Sequence, residues 1–291
     1  MLFALAITSA LFVVEVAGGL LSHSLALLSD AGHMLSDLAA QALSLAALVI
    51  AARPSDRRRT YGYYRIEILA ALANGVALFG LSAWILFSAW QRIRGGVRPV
   101  DAGVMMAVAA AGLLANLAGA WLLRGAESLN ARGAYLHVLQ DTLSSAAVIA
   151  GGAVMLALPG VRGIYLVDPL LSIAIGLFVN VGAWRLVRDA VDVLLEAVPM
   201  GLDVDAVQAS IRAEPEVHEV HDLHVWTLTS GVYALSAHIV VDGQRGHADD
   251  LLARVKDRLQ HDHRIGHTTI QVESRGYEHE CVSCEPRPPS A

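Results

Sequence analysis

The sequence predicts an α-helical membrane protein with six transmembrane helices, followed by a cytoplasmic α+β domain at the C-terminus. The first observation is composition: 55% of the residues are hydrophobic and 16% are charged, whereas soluble domains are about 25% charged. The second is distribution, because long apolar runs stop near residue 195 and a polar stretch rich in Asp, Glu, Arg and His follows. The formal net charge of −6 gives no indication of a nucleic-acid partner.

Six apolar segments are each long enough to cross a bilayer as a helix, which takes about 20 residues. A cleaved signal peptide is the alternative for the first segment, but that segment has no basic start and carries Glu15 within its apolar run. The segments together predict a transmembrane domain over residues 1–194. They cover residues 2–21, 25–51, 66–90, 101–124, 133–158 and 165–188.

Arginine placement orients these helices, because cytoplasmic loops of membrane proteins are enriched in Lys and Arg. The loop between the second and third segments, residues 53–65, holds five arginines, and its side of the membrane totals nine. The opposite side holds four. This bias places the 53–65 loop and the C-terminal domain in the cytoplasm.

The polar stretch after the sixth segment predicts a small α+β domain over residues 195–278, followed by a flexible tail, 279–291, that contains Cys and Pro. Asp203 is the expected N-cap of its first helix. The order α-β-β-α-β indicates helices on one face of a sheet. The patterns predict a helix over 203–217, a hairpin of strands over 220–231 and 232–243, an amphipathic helix over 247–262 and a last strand over 267–274.

Two of the apolar segments carry the same pair of polar residues. The second contains "SDAGHMLSD", in which His33 and Asp37 are four residues apart and therefore on one face of a helix. The fifth contains "HVLQD", with His137 and Asp141 at the same spacing. Ionisable side chains within a membrane are costly without a partner and mark functional sites. Two imidazoles and two carboxylates have the number and type of ligands that a tetrahedral Zn²⁺ ion takes.

A local helix-packing contact is the alternative interpretation of each His–Asp pair. Asp30 lies three residues before His33 on the same stripe, and four roles are open to it: a direct ligand, a partner that fixes the His33 ring, a proton carrier or a structural cap. For the other polar residues in the apolar segments we expect hydrogen bonds between helices. These residues are Glu15, Asn74, Asn116 and Asn180.

Five stretches of the chain together resemble the cation diffusion facilitator family, most closely its bacterial zinc-transporting branch. They are "HSLALLSDAGHMLSD", "YGYYRIEILAAL", "HVLQDTLSSAAVIAGG", "VDPLLSIAIGLFV" and "VHDLHVWTLTSG". The resemblance implies a homodimer in the bacterial inner membrane, in contact with membrane lipid, whose cytoplasmic domains are ferredoxin-like and bind metal. It also implies a proton-coupled antiporter rather than an enzyme. Such a protein exports Zn²⁺, with Cd²⁺ or Co²⁺ as further cargo, by alternating access.

The resemblance also assigns residues to metal sites. It places the transport site on His33, Asp37, His137 and Asp141. In the cytoplasmic domain it implies a structural or regulatory zinc ion held by His221, His238, His247 and Glu273, with Gln271 where some relatives have His. Cys281 and Cys284 form a terminal CxxC of the kind that some members use for a further zinc ion. Arg65 and Glu196 are implied as an interlock between the helices and the cytoplasmic domain.

Two interpretations from other classes remain open at this point. One is a membrane-bound zinc metalloenzyme, which needs an open coordination position and a general base. The sequence contains no His-Glu-x-x-His stretch, and four ligands in matched pairs leave no obvious open position. The other is a metal sensor, in which the soluble domain responds to metal and the helices only anchor it.

Overall fold

The structure is a computed structural model of the chain, and it divides into two compact units. The first comprises Met1–Ala46 and Ala70–Val187, and the second comprises Ala47–Leu69 and Arg188–Ala291. The residues that the structure describes are 2–51, 53–96, 98–123, 129–161, 163–241 and 248–275. Within these ranges, side chains are not described at 2–7, 44, 47, 48, 51, 122, 123, 129–137 and 140.

A long helix occurs at each of the six predicted apolar segments. Among the described residues, three stretches are long and apolar enough to cross a membrane: Arg65–Gly95, Ala102–Trp121 and Ile164–Leu194. The six helices are α1 (Leu2–Ser22), α2 (Leu25–Ala51), α3 (Arg65–Gly95), α4 (Ala102–Leu123), α5 (Leu129–Ala157) and α6 (Val167–Leu194), with a short 3₁₀ turn at Ile164–Leu166.

Two of these helices extend past their predicted ends. Helix α3 continues to Gly95 and α6 continues to Leu194, beyond residues 90 and 188. The last turn of α3 carries Arg92 and Arg94. Apolar character therefore stops before helical hydrogen bonding does, and a prediction based on hydropathy ends such helices too early.

Close packing in the first unit involves α4, which contacts both α1 and α5. A Cβ atom at Gly18 of α1 would lie only 2.6 Å from Val108 Cγ2 of α4, so a glycine is needed where these two helices meet. Polar residues also join helices, as expected. Asn74 Nδ2 donates to Ser36 Oγ at 3.2 Å, and Asn180 Nδ2 donates to Ser82 Oγ at 2.9 Å.

Asp168, in the first turn of α6, is fully buried and caps the start of α2. Its carboxylate accepts hydrogen bonds from Ser24 Oγ at 2.5 Å and from the N–H groups of Leu25 and Ala26 at 2.9 and 3.1 Å. The Arg92 guanidinium lies 3.3 Å from the same carboxylate. Asp168 therefore satisfies two of the free N–H groups at the N-terminus of α2, and Arg92 offsets its charge.

The C-terminal elements follow the predicted order of helices and strands. The sheet has strand order β1-β2-β3, with β1 and β2 antiparallel and β2 and β3 parallel. A parallel pair needs a crossover connection, which α8 supplies. The elements are α7 (Val204–Arg212), β1 (Val217–Thr229), β2 (Val232–Val241), α8 (Ala248–His263) and β3 (Ile265–Ser274).

The first helix of this region is shorter than predicted. Asp203 is its N-cap as expected, because its side chain accepts from the N–H groups of Asp205 and Ala206. The helix ends at Arg212 rather than at residue 217. Pro215 explains the difference, since proline has no N–H to donate and disfavours helical geometry at the residue before it.

Candidate metal centres

The first cluster of ligand-type side chains, which we call the helix cluster, consists of His33, Asp37 and Asp141. Helix α2 supplies the first two and α5 supplies the third. One ligand atom from each lies within 4.8 Å of the others. His33 Nε2 is 3.8 Å from Asp37 Oδ2 and 3.4 Å from Asp141 Oδ1. The structure therefore brings together three of the four residues that form the repeated His–Asp pairs.

His137, the fourth predicted ligand of this site, lies on α5 one turn before Asp141. Its side chain is outside the described residues. Its role as a ligand therefore stays a prediction.

The helix cluster borders an open space in the first unit. His33 and Asp37 line a cavity of about 340 Å³ together with Asn74 of α3 and several residues of α6. About a fifth of each side chain in the cluster is exposed: 21% for His33 and 20% for Asp37 and Asp141. These side chains are accessible to a small ion and are still mostly shielded.

Asp30 lies outside the helix cluster and is bonded to α5. Its carboxylate accepts a hydrogen bond from Ser144 Oγ at 2.6 Å and a longer one from Ser145 Oγ at 3.5 Å. Asp30 is buried, with 4% of its surface exposed. Of the roles left open by the sequence, this geometry favours a positioning residue, because the two bonds tie α2 to α5 close to His33 and Asp141.

The second cluster, which we call the sheet cluster, consists of His221, His238 and Glu273, one residue from each strand of the C-terminal sheet. One ligand atom from each lies within 4.8 Å of the others. His221 and His238 are direct partners in the β1–β2 register. Their rings meet edge to face at 5.3 Å between centroids. Glu273 Oε1 is 2.9 Å from His238 Nδ1, and Oε2 is 3.4 Å from His221 Nε2.

Glu273 is held in place by its neighbour on β3. Gln271 Nε2 donates to Glu273 Oε1 at 2.8 Å. Gln271 is also the register partner of His238 in the parallel pair of strands. Gln271, which stands where some relatives have a histidine, thus orients the carboxylate of the sheet cluster.

The sequence analysis missed Asp222, which lies at the edge of the sheet cluster. It has a positive φ of 48° at an irregularity in the β1–β2 register. This bulge places its carboxylate 2.9 Å from His224 Nε2 and 3.7 Å from His238 Nε2. Strict alternation would put Asp222 on the opposite face from His221, so only the motif "HDLH" itself could have pointed to it.

Three predicted ligands of the cytoplasmic region cannot be compared with the structure. His247, Cys281 and Cys284 lie outside the described residues. Their assignments therefore remain predictions.

The start of α3 makes two polar contacts within the second unit. Arg65, for which the resemblance implies an interlock with Glu196, forms an ion pair with that residue at 2.6 Å between Nη2 and Oε1. Glu67, which the sequence analysis missed, accepts hydrogen bonds from the hydroxyls of Thr229 and Ser230 at the β1–β2 turn. No local pattern in the sequence signals the second contact, because its partners are more than 160 residues apart.

Comparisons with known proteins match both parts of the chain. Residues 1–195 match the family model of the cation efflux transmembrane domain, and residues 199–275 match that of the cation efflux protein cytoplasmic domain. The metal cation efflux system protein CzcD of Cupriavidus metallidurans is 42% identical over 272 residues, which cover 93% of this chain and 84% of that protein.

Two further relatives extend this similarity. The zinc transporter ZitB of Escherichia coli is 42% identical over 277 residues, covering 94% of this chain and 86% of ZitB. The cadmium, cobalt and zinc/H⁺-K⁺ antiporter of Bacillus subtilis is 36% identical over 282 residues, covering 94% of this chain and 89% of that protein.

The matches to the cation efflux family models and to metal-transporting relatives define the class of the protein as a membrane transporter of metal cations. The chain belongs to the cation efflux family, as the resemblance to cation diffusion facilitators predicted. It is an integral membrane protein whose C-terminal domain is cytoplasmic. The family consists of transporters, which decides against the metalloenzyme interpretation.

Proposed function

We propose that the protein is a proton-coupled antiporter that exports Zn²⁺ from the cytoplasm by alternating access. The observation that carries this proposal is the convergence of His33, Asp37 and Asp141 within 4.8 Å on two helices of the transmembrane domain. One imidazole and two carboxylates are ligands that Zn²⁺ accepts. His137 is the fourth ligand in this proposal, because it shares a helix face with Asp141 at a spacing of four residues.

Proton exchange follows from the chemistry of these ligands. Imidazoles bind a metal in the neutral form and carboxylates in the ionised form, so metal binding releases protons. When the site opens to the other side, protons return to the ligands and weaken coordination. The proton gradient then resets the transporter. The name of the Bacillus subtilis relative, which includes H⁺, supports this exchange.

The choice of Zn²⁺ rests on ligand type and on relatives. Nitrogen and oxygen ligands together suit Zn²⁺, whereas harder cations such as Mn²⁺ favour oxygen alone. ZitB is named a zinc transporter, and the Bacillus subtilis relative is named for cadmium and cobalt as well as zinc. Cd²⁺ and Co²⁺ are therefore proposed as further cargo.

The proposed architecture assigns all six long helices to the membrane, in a domain over residues 1–194. The αββαβ order and the mixed three-stranded sheet support a ferredoxin-like cytoplasmic domain over residues 195–278, followed by the tail at 279–291. The working unit is a homodimer in the bacterial inner membrane. Arg65 and Glu196 form the interlock between the helices and this domain, which their ion pair supports.

The sheet cluster is proposed as a resident zinc site with a structural or regulatory role. His221, His238 and Glu273 supply three ligands of the types that zinc takes, fixed by strand register and by Gln271. Zinc bound there joins all three strands. His247 is the proposed fourth ligand, and Cys281 and Cys284 are proposed for a further ion.

The transport proposal is tested by Zn²⁺ flux into proteoliposomes that contain the purified protein and an imposed pH gradient. Wild-type protein should move Zn²⁺ against a proton flux, and an ionophore that collapses the pH gradient should stop net transport. Asp37→Ala should abolish flux because it removes a charged ligand. Asp192→Ala is the matched control, since this carboxylate belongs to an exposed ion pair with Arg188.

Two results would contradict the proposal. Zn²⁺ flux that ignores the pH gradient would exclude proton coupling. Flux that survives in Asp37→Ala would show that the ion does not pass through the helix cluster.

A further inference from the structure

The 53–65 loop between α2 and α3 forms a structured turn around Asp56. Asp56 accepts hydrogen bonds from the N–H groups of Arg58 and Arg59, each at 2.7 Å, and from the Tyr63 hydroxyl at 2.9 Å. The N–H groups of Arg59 and Arg58, followed by this hydroxyl, lower the pKa of the Asp56 carboxyl and favour its ionised form. Since the Arg59 guanidinium lies 3.6 Å from the carboxylate, the charge of Arg59 is offset within the loop.

Three other arginines of the loop have no carboxylate partner among the described residues. Arg65 is paired with Glu196. Within the described ranges, by contrast, Arg53, Arg57 and Arg58 form no ion pair with a carboxylate, and all three are exposed. The loop therefore keeps an excess of positive charge at these three positions.

Arg53 and Arg58 lie along two cavities that share their lining residues. Arg58 lines a cavity of about 280 Å³, and Arg53 lines a neighbouring one of about 710 Å³. Thr60, Tyr61 and Tyr64 line both, and we call these five residues the loop groove. It combines two guanidinium groups with three hydroxyls. Both tyrosines are exposed, 47% of the residue surface for Tyr61 and 39% for Tyr64.

The position of the loop groove relates it to the cytoplasmic face of the membrane. Helix α3 begins at Arg65, directly after the loop, and is long and apolar enough to span a bilayer. The Tyr61 ring contacts the His267 ring of β3 at 5.3 Å between centroids. His267 lies within the region that matches the cytoplasmic domain. The groove is therefore on the cytoplasmic side, at the start of a membrane span.

We propose that the loop groove binds the phosphate of an anionic phospholipid headgroup from the cytoplasmic leaflet. Arginine pairs with phosphate through two parallel N–H bonds, and basic residues beside a membrane span attract anionic lipids. Tyrosine is favoured at the same depth, where its ring meets apolar chains and its hydroxyl meets headgroups. Arg53 and Arg58 bind the phosphate, and the tyrosine hydroxyls donate to headgroup oxygens. This role is independent of the transport mechanism proposed above.

The test is lipid binding to the detergent-solubilised full-length protein, measured by native mass spectrometry with short-chain phosphatidylglycerol and with phosphatidylcholine of the same chain length. Wild-type protein should bind phosphatidylglycerol at least about tenfold more tightly. A hydrogen bond to a charged group contributes about 1.4 kcal/mol or more, which is about tenfold, so Arg58→Gln and Arg53→Gln should each weaken binding by at least about that factor. Arg57→Gln is the matched control, because it removes the same charge from the same loop at a residue that lines neither cavity. Its loss of affinity should be smaller than that of Arg58→Gln.

Three results would overturn the proposal. Equal binding of the two lipids would exclude recognition of negative charge. An equal loss in Arg57→Gln and Arg58→Gln would show that loop charge acts without a defined site. Competition by free glycerophosphate as effective as that by phosphatidylglycerol would identify a soluble anion rather than a lipid as the ligand.

Discussion

The helix cluster and the sheet cluster use the same chemical groups in different settings. The side chains of the helix cluster come from two helices, α2 and α5, and each side chain is about one-fifth exposed. The sheet cluster lies on adjacent hydrogen-bonded strands, and its carboxylate, Glu273, is only 3% exposed. Gln271 donates a hydrogen bond directly to Glu273 of the sheet cluster. In the helix cluster the comparable contact is the hydrogen bond from Ser144 to Asp30, a residue that lies beside the cluster and not in it.

This difference indicates how similar ligands can serve opposite purposes. Strand register keeps the distance between His221 and His238 nearly constant, which suits the retention of the ion that we propose for this site. The distance between α2 and α5 is set by side-chain contacts between two helices, and a small displacement changes it. A site that must release its ion benefits from the second arrangement, and a structural site benefits from the first.

The largest expected effects come from removing a carboxylate of the helix cluster, in which Asp141 is the only described residue that α5 contributes. Asp141→Ala should lower Zn²⁺ flux in proteoliposomes by at least about 100-fold, more than the 10–100-fold typical of residues that only support a ligand. Zinc affinity at the sheet cluster, measured by equilibrium dialysis, should not change. A matching loss at both clusters would show that the two are not separate sites.

The next effect in size concerns the buried carboxylate of the sheet cluster. Glu273→Gln should weaken zinc binding to the cytoplasmic domain of the full-length protein by about 10–100-fold, because it removes a charged ligand. Glu219→Gln, a change at an exposed carboxylate on β1, is the control and should leave affinity unaltered. Unchanged affinity in Glu273→Gln would remove this residue from the ligand set.

A smaller effect is expected from the contact that supports the helix cluster. Asp30→Asn should reduce Zn²⁺ flux by about tenfold, because it weakens the hydrogen bond from Ser144 and alters the position of α2 against α5. Ser144→Ala should reduce flux in the same direction, and the double variant should add little to Asp30→Asn. Additive losses would indicate that Asp30 acts by another route than this bond.

The smallest expected effect concerns the Arg65–Glu196 pair, which belongs to neither cluster, and is its contribution to the free energy of unfolding. Both side chains are well exposed, 39% and 57%, and such ion pairs contribute less than about 1 kcal/mol. A double-mutant cycle with Arg65→Ala and Glu196→Ala, measured by thermal unfolding, should therefore give a coupling energy below this value. A larger coupling would mean that the pair is shielded from water in the working protein.

Periodic features could be predicted from the sequence, and features that depend on a partner element could not. The His–Asp spacing of four residues matches the helical period, so each pair was expected on one face of its helix. The alternation of apolar and polar residues in β1 and β2 indicated their hairpin. The bulge that brings Asp222 close to His238 breaks the alternation of side chains along β1, so the strand pattern could not predict this contact. The hydroxyl donors of Glu67 lie on a distant turn, and only the folded chain brings them together.

The buried cap that Asp168 places on the first turn of α2 has a mechanical consequence for the proposed transport site. With a rise of 1.5 Å per residue, His33 lies about 12 Å along the helix axis from the capped end. If that end acts as a fixed pivot, a tilt of α2 by roughly 5° moves His33 by about 1 Å, and moves residues further along by proportionally more. Such a lever converts a modest swing of one helix into a change in metal–ligand distance large enough to loosen a bound cation, without unfolding either helix.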